Sequence, residues 1–337
     1  MKKATKRWLW FLAMLPLACG AVAAGWFAYY AYRPLQPAQT PLQFSLKAGS
    51  SLKSAAQQMA NAGVLDDPAQ FVMLARLMGE AGNIKAGNYE VEKPITPLRL
   101  LRKITEGDYT QDVITVVEGW TFQQMRKALD EHAAIRHDTG GLSSAEILLR
   151  LEIPDPSPEG WFFPDTYHFS RGSSDLAILR RAHRLMRATL ADQWERRTPG
   201  LPLATPYEAL ILASIIEKET GQAPERRLIA AVFVNRLRMG MRLQTDPSVI
   251  YGLGQNFDGN LRKRDLLADT PYNTYIRAGL PPTPIALPGL AALNAALNPA
   301  QSDALYFVSR GDGTSHFSRT LGEHDRAVTK YQKPGRR

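Results

Sequence analysis

Residues 8–32, WLWFLAMLPLACGAVAAGWFAYYAY, run for 25 positions without a charged side chain. As a helix rising 1.5 Å per residue this stretch would reach about 37 Å, beyond the roughly 30 Å hydrocarbon layer of a bilayer. Trp8 and Trp10 stand at one end and Trp26, Tyr29, Tyr30 and Tyr32 at the other, as an interfacial aromatic belt requires. Lys2, Lys3, Lys6 and Arg7 precede the stretch, so the positive-inside rule leaves residues 1–7 in the cytoplasm. The sequence therefore predicts a transmembrane helix over 8–32, with everything after it on the far side. No later segment is long and apolar enough to cross again. A cleaved signal peptide would have an apolar stretch of about 7–15 residues, shorter than this one. Leu17-Ala18-Cys19-Gly20 has the look of a lipoprotein cleavage site, but Pro16 stands where an aliphatic residue is usual. All three readings export the remainder.

The formal charge of +9 sits at the two ends. Four basic residues lie in 1–7, and Lys330, Lys333, Arg336 and Arg337 supply four more. Setting those eight aside from the 41 Lys and Arg leaves 33 against 32 acidic side chains in residues 8–329. A nearly neutral body argues against a nucleic-acid partner. Cys19, inside the apolar stretch, is the one cysteine, so the exported part has neither a disulfide nor a thiolate metal site. Histidines 132, 137, 168, 183, 316 and 324 show no HExxH or comparable spacing. No metal and no cofactor is expected.

Residues 33–42, RPLQPAQTPL, read as a stiff linker with three prolines. Residues 43–110 read as a small α+β module. A strand over 43–47 leads through Gly49-Ser50-Ser51 into a helix carrying Leu52, Ala55, Ala56, Met59 and Ala60 at helical spacing. Asp67-Pro68 opens a second helix through Phe71, Leu74, Ala75 and Met78. A strand returns over 87–91, and a third helix ends near Gly107. This order, with Ala86-Gly87-Asn88-Tyr89 on the returning strand, resembles a LysM-like module, a type that binds N-acetylated glycans; a ligand-free spacer is the alternative. Residues 111–330 read as a larger α+β domain, and 331–337 as a basic tail.

The chemistry centres on one helix. Thr205-Pro206-Tyr207-Glu208 combines an N-cap, a proline at the first helical position and a Glu at N3. The helix then runs ALILASIIEKET to Gly221 and is apolar nearly all round, which predicts a central element. Glu217 and Glu219 interrupt it. A carboxyl on such a helix is partly desolvated, which raises its pKa toward that of a general acid. Residues two apart differ by about 200° around a helix, so the two carboxyls face different ways. The pattern does not choose between them, and both could instead be solvated beside Lys218. Downstream loops carry Gln244, Thr245, Asp246, Ser248, Tyr251, Tyr272, Asn273, Thr274 and Tyr275. Such amides, hydroxyls and rings suit sugar recognition.

Taken together, EGWFFPDTY, ASIIEKET, VFVNRLRMGMRLQTDPSVIYG, YNTYIRAGLPPTPIALPG and YFVSRGDGTSHFSRTLGEH resemble the endolytic murein transglycosylase, or YceG-like, family. The likeness in order and spacing covers about residues 40–330. It implies an N-terminal anchor, a LysM-like module and a catalytic domain with Glu217 as the catalytic residue on its central helix. Glu219 is the next candidate, in a supporting or substrate-binding role. His316 and His324 match the family's C-terminal block and fit a structural or cleft-wall role. The resemblance further implies a single-pass protein of the cell inner membrane with a periplasmic catalytic domain. Its expected partners are peptidoglycan glycan strands and inner-membrane peptidoglycan synthases. The implied reaction cleaves the MurNAc–GlcNAc β-1,4 bond of nascent strands, leaves 1,6-anhydro-MurNAc ends and limits strand length. A non-catalytic wall-binding scaffold and a hydrolytic muramidase are the competing readings.

Overall fold

The computed structural model describes residues 14, 18–22, 24–35, 41–91, 94–107, 111–219 and 221–332. They form a mixed α+β protein of two compact units. One comprises 1–112 with 168–171, and the other 113–167 with 172–337.

In the first unit, β1 (Leu42–Leu46) pairs antiparallel with β2 (Gly87–Val91), and α2 (Leu52–Asn61) and α3 (Pro68–Leu77) lie between them in the chain. Each helix start has a side-chain cap. Ser51 accepts from Ser54 N–H, and Asp67 accepts from Ala69 and Gln70 N–H ahead of Pro68, satisfying donors that have no partner in the helix's first turn. Phe44 and Tyr89 face each other across the ladder with ring centroids 5.4 Å apart. Helix α4 (Pro97–Glu106) closes the unit and stops at Gly107, whose φ of 80° supplies the left-handed cap.

The N-terminal segment enters this core. Residues 18–22 are helical, and a helix over residues 24–32 (α1) follows. Tyr30, Ala31 and Leu35 are buried in one cluster with Phe44, Met59, Phe71 and Leu74. Leu35 N–H donates to Ile95 O at 2.8 Å, and Arg33 pairs with Asp66 at 3.0 Å. The expected linker therefore does not begin at residue 33. Its first three residues belong to the module, because Leu35 has an apolar socket and a backbone partner there. Likewise Tyr30, read as part of an interfacial belt, is a core residue of the module. Among the described residues no helix is long and apolar enough to cross a membrane. Positions 8–13, 15–17 and 23 of the predicted span lie outside the described residues, as do the 1–7 tail, 36–40 of the linker and 333–337 of the C-terminal tail.

The second unit is built around α8 (Pro206–Glu219). Thr205 caps it as predicted, Glu208 N–H donating to Thr205 Oγ1 at 3.2 Å, while the Glu208 carboxylate accepts at 2.6 Å from the N–H of Ala204, one residue before the cap position of a capping box. Eight consecutive residues, Ala209–Ile216, are buried, so the helix has no solvent face along those turns. It is enclosed by α7 (Asp175–Glu195), α9 (Arg226–Arg238), α10 (Asp246–Leu253) and α12 (Leu290–Leu297). Full burial of each Leu or Ile contributes roughly 1.5–3 kcal/mol. That makes α8 a fixed frame for whatever its C-terminal turn carries.

The remaining elements complete the unit. Strands β3 (Gln111–Thr115) and β5 (Thr166–Ser170) pair with each other, residues 113–115 of the one and 166–167 of the other falling in this unit, and α5 (Phe122–Asp130) follows β3. Strand β4 (Ile135–Arg136) pairs with β6 (Ser173–Ser174), on either side of α6 (Ser144–Leu151). A short helix α11 (Lys263–Leu267) lies in the loop after α10. The hairpin β7 (Tyr306–Ser309) and β8 (Ser315–Ser318) leads into α13 (Leu321–Gln332). His324 stacks on Tyr306 at 5.2 Å, and His316 lies against Tyr331 at 5.7 Å.

Candidate active site

Two loops converge on the last turn of α8. Ser214, fully buried, accepts from Ile285 N–H at 3.0 Å, tying the loop before α12 to the helix. That loop pairs with the loop before α5: Gly119 N–H donates to Leu287 O at 2.9 Å, and Leu287 N–H donates to Trp120 O at 2.6 Å. These bonds bring Gly289 to Glu217, and Gly289 N–H donates to Glu217 Oε2 at 2.9 Å.

The Glu217 side chain is only 7% exposed, and Arg226 Nη2 stands 4.0 Å from its Oε1. Lys218 lies against the same Gly119 as the Glu217 side chain and donates to Gly119 O at 3.2 Å. Burial raises the Glu217 pKa, and the negative charge of Glu118 adds to the effect. The Gly289 N–H, Arg226 and Lys218 oppose it. A desolvated carboxyl with one fixed N–H donor and two cations in range can release a proton and hold the resulting charge. It is not a solvated surface group.

Glu219, two residues on, faces a different set of groups. Thr245 Oγ1 donates to its Oε1, and burial pushes its pKa up to about 7, with Asp246 adding to the rise. Thr245, Ser248, Asn273 and Thr274 are buried. Thr245 N–H donates to Thr274 Oγ1 at 3.0 Å, the Ser248 and Thr274 hydroxyls are 2.9 Å apart, and the Asn273 amide donates to Leu266 O at 3.0 Å and Ala268 O at 2.7 Å. These four candidates brace the loop from inside. Gln244 and Asp246 are the exposed ones, and Tyr275 donates to Asp246 Oδ1 at 2.5 Å. Gln244 holds a left-handed φ of 50°, a strained backbone for a non-glycine residue of the kind that clusters at working sites. Tyr251 and Tyr272 meet edge to face at 4.9 Å, and Tyr272 shares a hydrogen bond with Thr283 at 2.9 Å.

Glu159 was not among the sequence candidates, although its segment was. It is 4% exposed and accepts from Phe122 N–H at 2.9 Å and from Tyr251 Oη at 3.0 Å. Through these bonds it links the start of α5 to α10. Burial, only partly offset by the two donors, pushes its pKa up to about 7. An unfolded glutamate titrates near 4.3. The folded protein thus binds the extra proton between those values, and this contribution to stability is full below the unfolded pKa and lost as pH rises through about 7. Denaturant unfolding at a series of pH values is expected to show wild-type stability falling between pH 5 and 8. Glu159→Gln should fall less, by on the order of 2–3 kcal/mol. Parallel curves for the two proteins would contradict the assignment.

Asp130, His137 and Asp175 place ligand-type atoms within 4.8 Å of one another. Asp175 already accepts from Asp138 N–H, Thr139 N–H and the Thr139 hydroxyl, so the cluster is accounted for as a loop brace.

The model of the YceG-like family matches residues 44–330. A protein of Bacillus subtilis named endolytic murein transglycosylase is 32% identical over 87% of this chain and 85% of its own length. A pneumococcal protein of the same name is 27% identical over 95% of this chain and 64% of its own. The 2.6 Å crystal structure of a yceG-like protein from Listeria monocytogenes superposes with a TM-score of 0.54 at 29% identity, covering 85% of this chain and 98% of that one. The chain belongs to the YceG-like family.

Proposed function

We propose that the protein is an endolytic murein transglycosylase, with Glu217 as its acid and base. The observation that carries the reading is the desolvated Glu217 carboxyl, fixed by Gly289 N–H at the end of an enclosed helix. The match to relatives of that name over most of the chain supports it. An ordinary glycosidase needs a second carboxylate as nucleophile or base. Here the sugar provides the nucleophile. Glu217 donates its proton to O4 of the leaving N-acetylglucosamine as the bond from C1 of N-acetylmuramic acid breaks. The C6 hydroxyl of the same muramic acid attacks C1, and its proton passes to the Glu217 carboxylate. One bond breaks, one forms, no water is consumed and the acid is regenerated. The attack is intramolecular, so it benefits from high effective molarity. Arg226, Lys218 and Gly289 N–H stabilise the carboxylate between the two proton transfers.

The exposed apolar side chains Val22, Trp26, Tyr29 and Tyr32 fit a lipid-covered helix over residues 8–32. The proposed arrangement is a single-pass inner-membrane protein with its N-terminus in the cytoplasm and both units in the periplasm. The first unit, with its strand–helix–helix–strand order, serves as a LysM-like module that places strands near the synthases that make them. Because Tyr30 and Leu35 are core residues of that unit, it sits directly at the membrane surface. Product length tests the endolytic reading. Uncrosslinked glycan polymer is expected to yield fragments of intermediate length early in the reaction, whereas steady release of disaccharides alone would overturn it.

A further inference from the structure

The glycine that fixes Glu217 also carries a second carboxylate. A Cβ built on Gly289 would lie 1.7 Å from Oε1 of Glu118, so the Glu118 carboxylate rests directly over the Gly289 Cα. A Cβ built on the next residue, Gly119, would lie 3.7 Å from Glu217 Cγ. The backbone bonds between Gly119, Trp120 and Leu287 hold both loops in this register. Glu118 is exposed, and Glu217 is nearly buried. Resting on the reaction proposed above, we propose that Glu118 is a positioning residue of this site, its negative charge set across Gly289 from Glu217 to keep the proton on the acid.

Every group facing Glu217 takes a side in that balance. Lys218 on its own helix, Arg226 on α9 and the Gly289 N–H at the start of α12 favour the carboxylate; burial and Glu118 favour the acid. Among these groups, all of them described residues, Glu118 supplies the negative charge. Its effect is also the adjustable one, since an exposed carboxylate can be covered or neutralised when a glycan strand binds.

The test compares the full-length wild type with Glu118→Gln. A neighbouring unit charge in water-like surroundings moves a titration by about half a pH unit. The basic limb of the kcat/KM profile on glycan polymer is expected to move to lower pH by about that amount, and added salt should shrink the difference. Gly289→Ala supplies a second route. Its backbone, φ −81° and ψ 175°, accepts alanine, and the new methyl pushes the Glu118 carboxylate away while the Gly289 N–H remains. It should shift the limb in the same direction, and the double variant should shift it no further than Glu118→Gln alone. A carbon-13 carboxyl NMR titration of Glu217 reads the same displacement without turnover, so a failure of the proposed reaction is distinguishable from a failure of this inference. A uniform loss of activity at every pH with an unmoved Glu217 titration would overturn the inference, and so would unchanged behaviour in both measurements.

Discussion

Glu217→Gln is expected to lower the release of anhydro-muropeptides about 1,000-fold or more while leaving the fold intact. General acid–base groups contribute about 100- to 10,000-fold, and here one group serves both proton transfers. The amide can neither donate to the glycosidic oxygen nor accept from the C6 hydroxyl. It is nonetheless nearly isosteric, and its oxygen can still accept from Gly289 N–H, the 2.9 Å bond that positions the side chain. Because burial disfavours the Glu217 carboxylate, the neutral amide should leave the melting temperature unchanged or slightly raised. Product release and thermal unfolding on the same preparation check both halves. More than a tenth of wild-type activity in a purified, folded variant would remove Glu217 from the mechanism.

The largest expected loss of stability comes from Gly160→Ala. Gly160 holds a φ of 82°, and a Cβ there would lie 2.6 Å from Pro284 Cγ and 3.3 Å from Leu210 Cδ2. The proline ring cannot swing aside, and Leu210 belongs to the buried length of α8. Left-handed backbone costs a non-glycine residue roughly 1–2 kcal/mol, and overpacking a core adds about 1–3 kcal/mol. A destabilisation of about 2–5 kcal/mol should therefore appear in denaturant unfolding. Gly141→Ala, at a φ of 76° with open space around its Cβ position, should show the backbone cost alone. Equal losses at the two positions would show that the Pro284 contact is not the cause.

Much of this arrangement was legible in local patterns. The α+β class, the helix–helix–strand order of the first unit and the entry to α8 follow from caps and spacing, which act over three or four residues. Thr205 performs the capping its position suggests, and Glu208 folds back onto the N–H of Ala204. The 200° argument also holds in three dimensions, since Glu217 meets Gly289 while Glu219 meets Thr245. Which carboxyl meets which loop was not legible, because those contacts join residues far apart in the chain. Gly289 and Glu217 are separated by 72 positions, and no periodicity reports such a pairing. Glu118 and Glu159 were passed over for the same reason. Each sits in a Glu-Gly-Trp run without a periodic pattern to single it out, and only the fold shows one resting over Gly289 and the other enclosed between α5 and α10. Conversely, Thr245, Ser248, Asn273 and Thr274 looked like sugar contacts because their side chains are polar, yet they are buried and bonded to one another or to backbone carbonyls. Polarity in a loop marks hydrogen-bonding capacity and leaves the partner unspecified. Tyr30 shows the same limit in an apolar segment: composition could not separate a ring facing lipid from one facing the module's own core.

The central claim is that the C6 hydroxyl of the substrate, and not water, attacks C1 while Glu217 moves the protons. Mass spectrometry of the new ends formed from uncrosslinked glycan polymer in heavy-oxygen water tests it most directly. The account predicts 1,6-anhydro-MurNAc ends, lighter than a reducing end by one water and free of heavy oxygen. Reducing MurNAc ends carrying the label would show hydrolysis and contradict it.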